Sequence, residues 1–380
     1  MTPQLSRRIV LTKLAESSSE KDLRDALHLH IAPLSSLEPG KIRVKIQYAS
    51  LNFADVLVVQ GKYQEKPSLP STLGSECSGT VVEVHPTLND SKYRGSISIG
   101  QRVLVICTTN MKAGAYADFI DVYPWQTFPI PYPQMKMETA AGFAVAAGTA
   151  HIALVDRANV NSGDLVVITG ASGGTGMYAC LIAKALGCKV VATARGKTKV
   201  NFVKSLLGPD DFVIDIATTK NDNMNEKRND SYQKIVDTVL KMNKMGAQVI
   251  YDTVGGSLFK YLLKCARWKC RLCVVGFAAG GIPNIPSNIL LVKNSSVVGV
   301  YWGNYFRNER NTILESMNSL FSLICEGKLN LGSVPIHEFQ WELVDLPLAL
   351  SALSKGETYG KVLIKCSNSD LRKNYLRANL

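Results

Sequence analysis

The chain lacks any uninterrupted apolar run of the ~18 to 20 residues that a membrane-spanning helix needs. Its first residues also lack a basic start followed by an apolar stretch and a cleavage site. These absences exclude a helical membrane span and lead us to expect a soluble, unsecreted, cytoplasmic chain. A transit peptide is not expected either, because Glu16, Glu20, Asp22 and Asp25 follow Arg7, Arg8 and Lys13 too soon. Internal repeats are missing. Disulfide scaffolding is missing too: the nine cysteines are odd in number and scattered. Cys270-Arg271-Leu272-Cys273, with Cys265 nearby, has the spacing of a redox pair or half a zinc site. It lies in what reads as a buried strand, where residues three apart face opposite ways, so buried structural thiols are expected. Acid is in short supply, giving a formal charge of +12. The lysines and arginines are dispersed and no aromatic-basic RNA motif occurs, so a nucleic-acid partner is not expected. The excess charge is assigned to an anionic cofactor and to solvated surface.

What is present is enough for two domains: 380 residues, 46% apolar and 19% charged. A short apolar strand, Leu165-Val166-Val167-Ile168-Thr169, runs into Gly170-Ala171-Ser172-Gly173-Gly174-Thr175-Gly176 and then into a helical stretch ending near Leu186. A second β-rich run, Lys189 to Thr193, follows. The glycines permit a sharp turn and a close ligand approach, and the unpaired N–H groups of the helix start attract a diphosphate. Their spacing departs from the commonest dinucleotide fingerprint, but strand, turn, helix and strand together point to a cofactor site. In such folds the end of the second strand discriminates the coenzymes. Thr193-Ala194-Arg195-Gly196-Lys197-Thr198-Lys199 contains no acid, which favours NADPH, with Arg195 and Lys199 on the extra phosphate.

Strands are expected near Leu165, Lys189, Phe212 to Ile214, Gln248 to Tyr251, Arg271 to Val275 and Ser296 to Val300. With helices between them they imply a doubly wound, six-stranded parallel sheet. The first third instead carries short strands, at His28 to Ile31, Lys41 to Ile46, Val81 to Val84 and Val103 to Ile106, as a distorted barrel would. Prolines between Tyr123 and Pro133 suggest an extended crossing. Met137 to Asp156 reads as a helix interrupted around Gly148-Thr149, and Thr218 to Tyr232 as a long exposed loop. A helix from Asn311 to Glu326, a strand-like Val334 to Phe339, a helix from Leu346 to Leu353 and a strand at Lys361 to Lys365 close the chain. The expected division is a β-rich domain over 1–134, a nucleotide-binding domain over 135–305, a return to the first domain over 306–366, and a tail over 367–380. A frayed tail is the expected reading of the last residues, with Ala378-Asn379-Leu380 as a loose variant of a peroxisomal address the alternative.

Several segments together resemble the zinc-independent medium-chain dehydrogenase/reductases, specifically the quinone oxidoreductase family that includes ζ-crystallin. They are Ala49 to Asp55, Leu73-Gly74-Ser75-Glu76-Cys77-Ser78-Gly79-Thr80-Val81, Gly114 to Ala117, Gly148-Thr149-Ala150, the glycine loop, Tyr251 to Gly256, Val275 to Ala278, and Val300 to Gly303. The resemblance implies a GroES-like first domain and a homodimer formed by edge strands near Ser296 to Val300. Zinc members carry a cysteine at Asn52 and a histidine at Ser75, so both ligand positions are lost here, and Cys107 stands alone where a structural zinc lobe would need several cysteines. No metal is expected. Without a Lewis acid, the implied activity is reduction of a quinone or an α,β-unsaturated carbonyl by hydride transfer from NADPH. Asn52 would orient substrate or nicotinamide, and Tyr63 would donate a proton. The glycine turn and the second strand's end place coenzyme contacts at Gly170, Ser172, Gly173, Gly174, Thr175, Thr193, Arg195 and Lys199, and by the same resemblance Thr149, Val254, Gly276, Phe277, Tyr301 and Lys361 join them. Relatives often carry a serine at Gly196 and a tyrosine near Ile216, and Arg195 substitutes for them. The alternatives are an alkenal or enoyl thioester reductase, and a low-turnover NADPH-binding crystallin-like or RNA-binding protein.

Overall fold

The computed structural model describes all residues except 1–3, 89–96, 108–112, 132, 218–223, 333–338 and 367–380. The expected strand start at Val334 and the C-terminal tripeptide therefore lie outside the described residues. The chain divides into two compact units, Met1–Val145 with Pro335–Leu380, and Ala146–Val334.

The first unit is built from β1 (Leu5–Leu11), β2 (Leu27–Pro33), β3 (Ile42–Leu51), β4 (Ser71–Thr72), β5 (Glu76–Val84), β6 (Arg102–Ile106), β7 (Phe119–Val122) and β8 (Thr127–Pro129). The second holds β9 (Leu165–Ile168), β10 (Lys189–Ala194), β11 (Phe212–Asp215), β12 (Ala247–Asp252), β13 (Ala266–Val274) and β14 (Ser296–Gly299). The chain then adds β15 (Phe339–Glu342) and β16 (Val362–Lys365), in a sheet with β3, β5, β6 and β8. β16 runs antiparallel to β3, pairing Val362 with Leu51 and Lys365 with Tyr48. This pairing brings the end of the described chain back to its first third. Strict alternation in β3 is broken at Arg43, which is buried because its guanidinium reaches Asp121 and Glu83, each at 2.8 Å.

In the second unit all six strands are parallel, in the order β11-β10-β9-β12-β13-β14. The order reverses between β9 and β12, which defines the switch point at which ligands bind such sheets. Leu165, Val166, Val167 and Ile168 are all buried, as a central parallel strand covered on both faces requires. Cys265, Cys270 and Cys273 are free and buried, and burial pushes each thiol up to about 12. They serve as core packing.

Three local readings change. The helical region after Met137 breaks at Gly142, not at Gly148: Met137–Ala141 and Ala144–His151 are separate helices. A Cβ on Gly142 would stand 2.9 Å from Lys361 Cε, so the gap makes room for a lysine stem, while Gly148 lies within a helix against the Trp302 indole. Of the stretch expected as a loop, 218–223 lie outside the described residues and the remainder is helical, within Met224–Met242. Tyr232, Ile235, Val236 and Val239 form the helix's buried stripe, at helical spacing. Finally, the return to the first unit begins at Pro335, because Arg310–Cys325 packs on the parallel-sheet unit, where Ser316 Oγ lies 2.9 Å from His151 Nδ1.

Candidate active site

In the β-rich unit, Asn52 lies between β3 and the helix Phe53–Val59. Its side chain does not cap that helix. Asn52 Nδ2 donates to Glu76 Oε1 at 3.0 Å and to Ser75 Oγ at 3.3 Å, and Asn52 Oδ1 accepts from Lys361 Nζ at 2.8 Å. Lys361 Nζ also donates to Glu76 Oε1 at 2.9 Å and to the Leu51 carbonyl at 3.2 Å. The second Glu76 oxygen accepts the Val145 N–H at 2.9 Å. A lysine 3% exposed and a glutamate with no exposure thus form a charge pair whose polar atoms are satisfied on every side. The ammonium's three donors are all spent in the β-rich unit, which leaves none for a nicotinamide.

Below this network, Asp55 Oδ2 accepts the Asn52 N–H at 2.7 Å and the Tyr116 hydroxyl at 2.9 Å. Burial raises the Asp55 carboxyl to about 6, against those two hydrogen bonds, which lower it. A carboxyl raised from 3.8 to about 6 binds more protons folded than unfolded between those values, so stability falls as pH rises through that window and is level above it. The difference is about 3 kcal/mol. Asp55→Asn should flatten this slope, and urea unfolding at pH values inside and above the window will show it. Parallel curves for variant and wild type would refute the assignment.

Tyr63 follows the same helix; it is half-buried and packs against the core of the β-rich unit.

In the parallel-sheet unit, Gly170 turns the chain after β9 with φ +60°, a left-handed conformation suited to glycine. Its N–H donates to Thr193 Oγ1 at 3.3 Å, and the Ala171 N–H to the Thr193 carbonyl at 2.9 Å. Thr193 is buried and acts as a brace for the turn. A Cβ on Gly176 would lie 2.3 Å from the Gly170 carbonyl, so the helix Gly174–Ala185 presses directly on the turn. Gly173, Gly174 and Thr175 open toward solvent at the helix start, whereas Ser172 is buried. A Cβ on Gly173 would meet nothing nearer than the Gly170 carbonyl at 3.5 Å. The Gly173 N–H closes the turn on the Gly170 carbonyl at 3.0 Å, and the exposed start of the helix leaves space where its first N–H groups can meet a diphosphate.

Across the switch point, Thr169 Oγ1 donates to Asp252 Oδ1 at 2.6 Å, and Asp252 also accepts the N–H groups of Val254 at 2.9 Å and Gly255 at 3.2 Å. Burial raises the Asp252 carboxyl. Gly276 and Phe277 follow β13 in a segment bonded back to this bend, with the Ala278 N–H on the Thr253 carbonyl at 3.0 Å. Phe277 and Tyr301 are 38% and 37% exposed, and Thr149 is buried in Ala144–His151. Arg195 is exposed beyond β10, and Lys199 is half-buried on the next helix, Lys197–Leu206. Burial, and then the neighbouring Arg195 charge, lower the Lys199 ammonium's pKa. Asp215, from the end of β11, accepts the Gly196 N–H at 2.9 Å. An acid thus reaches a segment that contains none of its own, through strand pairing that local composition does not reveal. The same holds for Lys361 and Glu76, which stand 285 residues apart in sequence.

A 3-2-1-4-5-6 parallel sheet with a glycine turn at its switch point, joined to a GroES-type β-rich unit, defines the two-domain dehydrogenase class. Residues 38–132 match the alcohol dehydrogenase GroES-like domain, and residues 174–319 match the zinc-binding dehydrogenase family, a segment that excludes Asn52 and Ser75. A quinone oxidoreductase-like protein 2 homolog of Nematostella vectensis is 34% identical over 330 residues, covering 87% of this chain and 82% of that protein. Quinone oxidoreductase-like protein 2 of Rattus norvegicus is 30% identical over 310 residues, 81% of each chain. Among solved structures, Escherichia coli quinone oxidoreductase complexed with NADPH superposes with a TM-score of 0.74 at 22% identity, over 94% of this chain and 99% of that one. The chain belongs to the quinone oxidoreductase family of medium-chain dehydrogenase/reductases, a family of oxidoreductases.

Proposed function

We propose that the chain is an NADPH-dependent oxidoreductase that reduces a quinone or an α,β-unsaturated carbonyl without zinc. The observation that carries the coenzyme reading is the Arg195 and Lys199 pair beyond β10. Arg195 is exposed just beyond the end of β10 and Lys199 follows on the next helix, Lys197–Leu206, which supports a role for both cations on the 2′-phosphate of NADPH. The glycine turn and the start of Gly174–Ala185 would hold the diphosphate, with Val254, Gly276 and Phe277 on the nicotinamide side. The reduced nicotinamide supplies a hydride when bound.

Independence of zinc is supported by the donors at the two vacated ligand positions. Asn52 and Ser75 offer an amide and a hydroxyl in place of a thiolate and an imidazole, and the nearby carboxylate already balances the Lys361 charge. With no strong Lewis acid, the acceptor must carry its own conjugated path for the incoming electrons, which selects quinones and conjugated carbonyls. Tyr63 is the proposed proton donor.

A panel of quinones, alkenals and enoyl thioesters, each with NADPH and NADH, tests the reading. Arg195→Ala should weaken NADPH at least about tenfold, the loss expected for one charge-assisted phosphate pair, with little change for NADH. Equal effects on both coenzymes would remove the phosphate assignment. Activity that requires stoichiometric zinc would remove the metal-free one. We also propose a homodimer through β14, the edge of the parallel sheet. A monomer mass in sedimentation at micromolar concentration would overturn it.

A further inference from the structure

We infer that Ser75 donates a hydrogen bond to the acceptor oxygen that gains negative charge, and that Asn52 is the positioning residue behind it. The inference rests on the reduction proposed above. The Asn52 amide has only one orientation compatible with its neighbours. The Lys361 ammonium carries donors alone, so the atom 2.8 Å from it is Oδ1. The Glu76 carboxylate accepts alone, so the atom 3.0 Å from it is Nδ2. One Nδ2 proton therefore goes to Glu76 and the other to Ser75 Oγ at 3.3 Å. Asn52 has no donor left for a substrate.

Ser75 is in the opposite condition. Its oxygen accepts from Asn52, so its own proton points elsewhere, and among the described residues no acceptor lies within hydrogen-bond reach of it. The residue is half-buried, and its carbonyl takes the Cys107 N–H at 2.8 Å, which fixes its backbone beside β6. From Lys361 through Asn52 to Ser75, each group polarises the next, and such chains strengthen the terminal donor. The hydroxyl keeps its proton throughout. Hydride adds to the conjugated carbon, the displaced π pair moves onto the oxygen that Ser75 bonds, and solvent or Tyr63 supplies the proton that completes the product.

The first test needs no coenzyme: titration of 4-nitrophenol, whose phenolate mimics the charged oxygen and absorbs in the visible. Wild type should bind phenolate in preference to phenol and lower its apparent pKa. Ser75→Ala should lose that preference about tenfold, as for one lost hydrogen bond to a charge, while Ser75→Thr keeps it. In turnover, Ser75→Ala should lower kcat about tenfold to a hundredfold with NADPH affinity unchanged, toward the range for a single oxyanion donor. No phenolate preference in wild type, or identical behaviour of wild type and Ser75→Ala, overturns the inference. Wild type that binds NADPH and the phenolate yet reduces no member of the acceptor panel instead overturns the proposed function.

Discussion

Lys361→Met is expected to destabilise the β-rich unit by about 3 to 5 kcal/mol, measured by urea unfolding, because it strands a charge that has no route to water. Methionine fills the stem's place beside Gly142, so lost packing contributes little. What disappears is the ammonium that neutralises Glu76 and bonds Asn52 and the Leu51 carbonyl. The carboxylate that remains is fully buried and keeps only the Asn52 amide and the Val145 N–H. The decisive measurement is the same change made in a Glu76→Gln background. With no charge left to strand, Lys361→Met should then cost at least about 2 kcal/mol less. Equal costs in the two backgrounds would show that the lysine acts through packing alone.

Gly170→Ala is the substitution from which the largest loss of coenzyme binding is expected. The new methyl meets two obstacles: a φ of +60°, and Thr253 Oγ1 only 2.4 Å away. Left-handed backbone costs an L-residue about 1 to 2 kcal/mol. The clash adds displacement of Thr253, whose hydroxyl donates to the Thr169 carbonyl at 3.0 Å and ties β9 to β12 at the switch point. NADPH affinity measured by calorimetry should fall by at least about tenfold, since a shift of this turn moves the N–H groups it aims. Gly163→Ala is the control. Gly163 has φ +86° with nothing within 4 Å of its would-be Cβ, so that variant should pay a similar backbone cost and keep its NADPH affinity. Matching losses of affinity in both variants would mean that general destabilisation, and not the turn, is responsible.

The parallel sheet was legible because its signals are local. Continuous apolar runs such as Leu165–Ile168 mark strands covered on both faces, and the glycines after them mark the turn. Where local reading failed, the cause was remote. Gly148 looked like the helix break, but the Trp302 indole lies against it, and the true break at Gly142 answers to Lys361. The helix Met224–Met242 opens on a polar stretch of sequence, and its buried residues Tyr232, Ile235, Val236 and Val239 come later.

The same contrast runs through the candidate site. Chain order alone determined the class of fold, the glycine turn, and the basic segment at Arg195 and Lys199. Each of these depends on residue identity over a few positions. Only the tertiary structure decided that Lys361 turns toward Glu76, that Asn52 spends its donors on its own neighbours, and that Asp215 reaches Gly196. The register of β16 on β3 and of β11 on β10 sets those meetings. Which polar group satisfies which, once water is excluded, is a property of the packed interior and has no counterpart in neighbouring letters of the sequence.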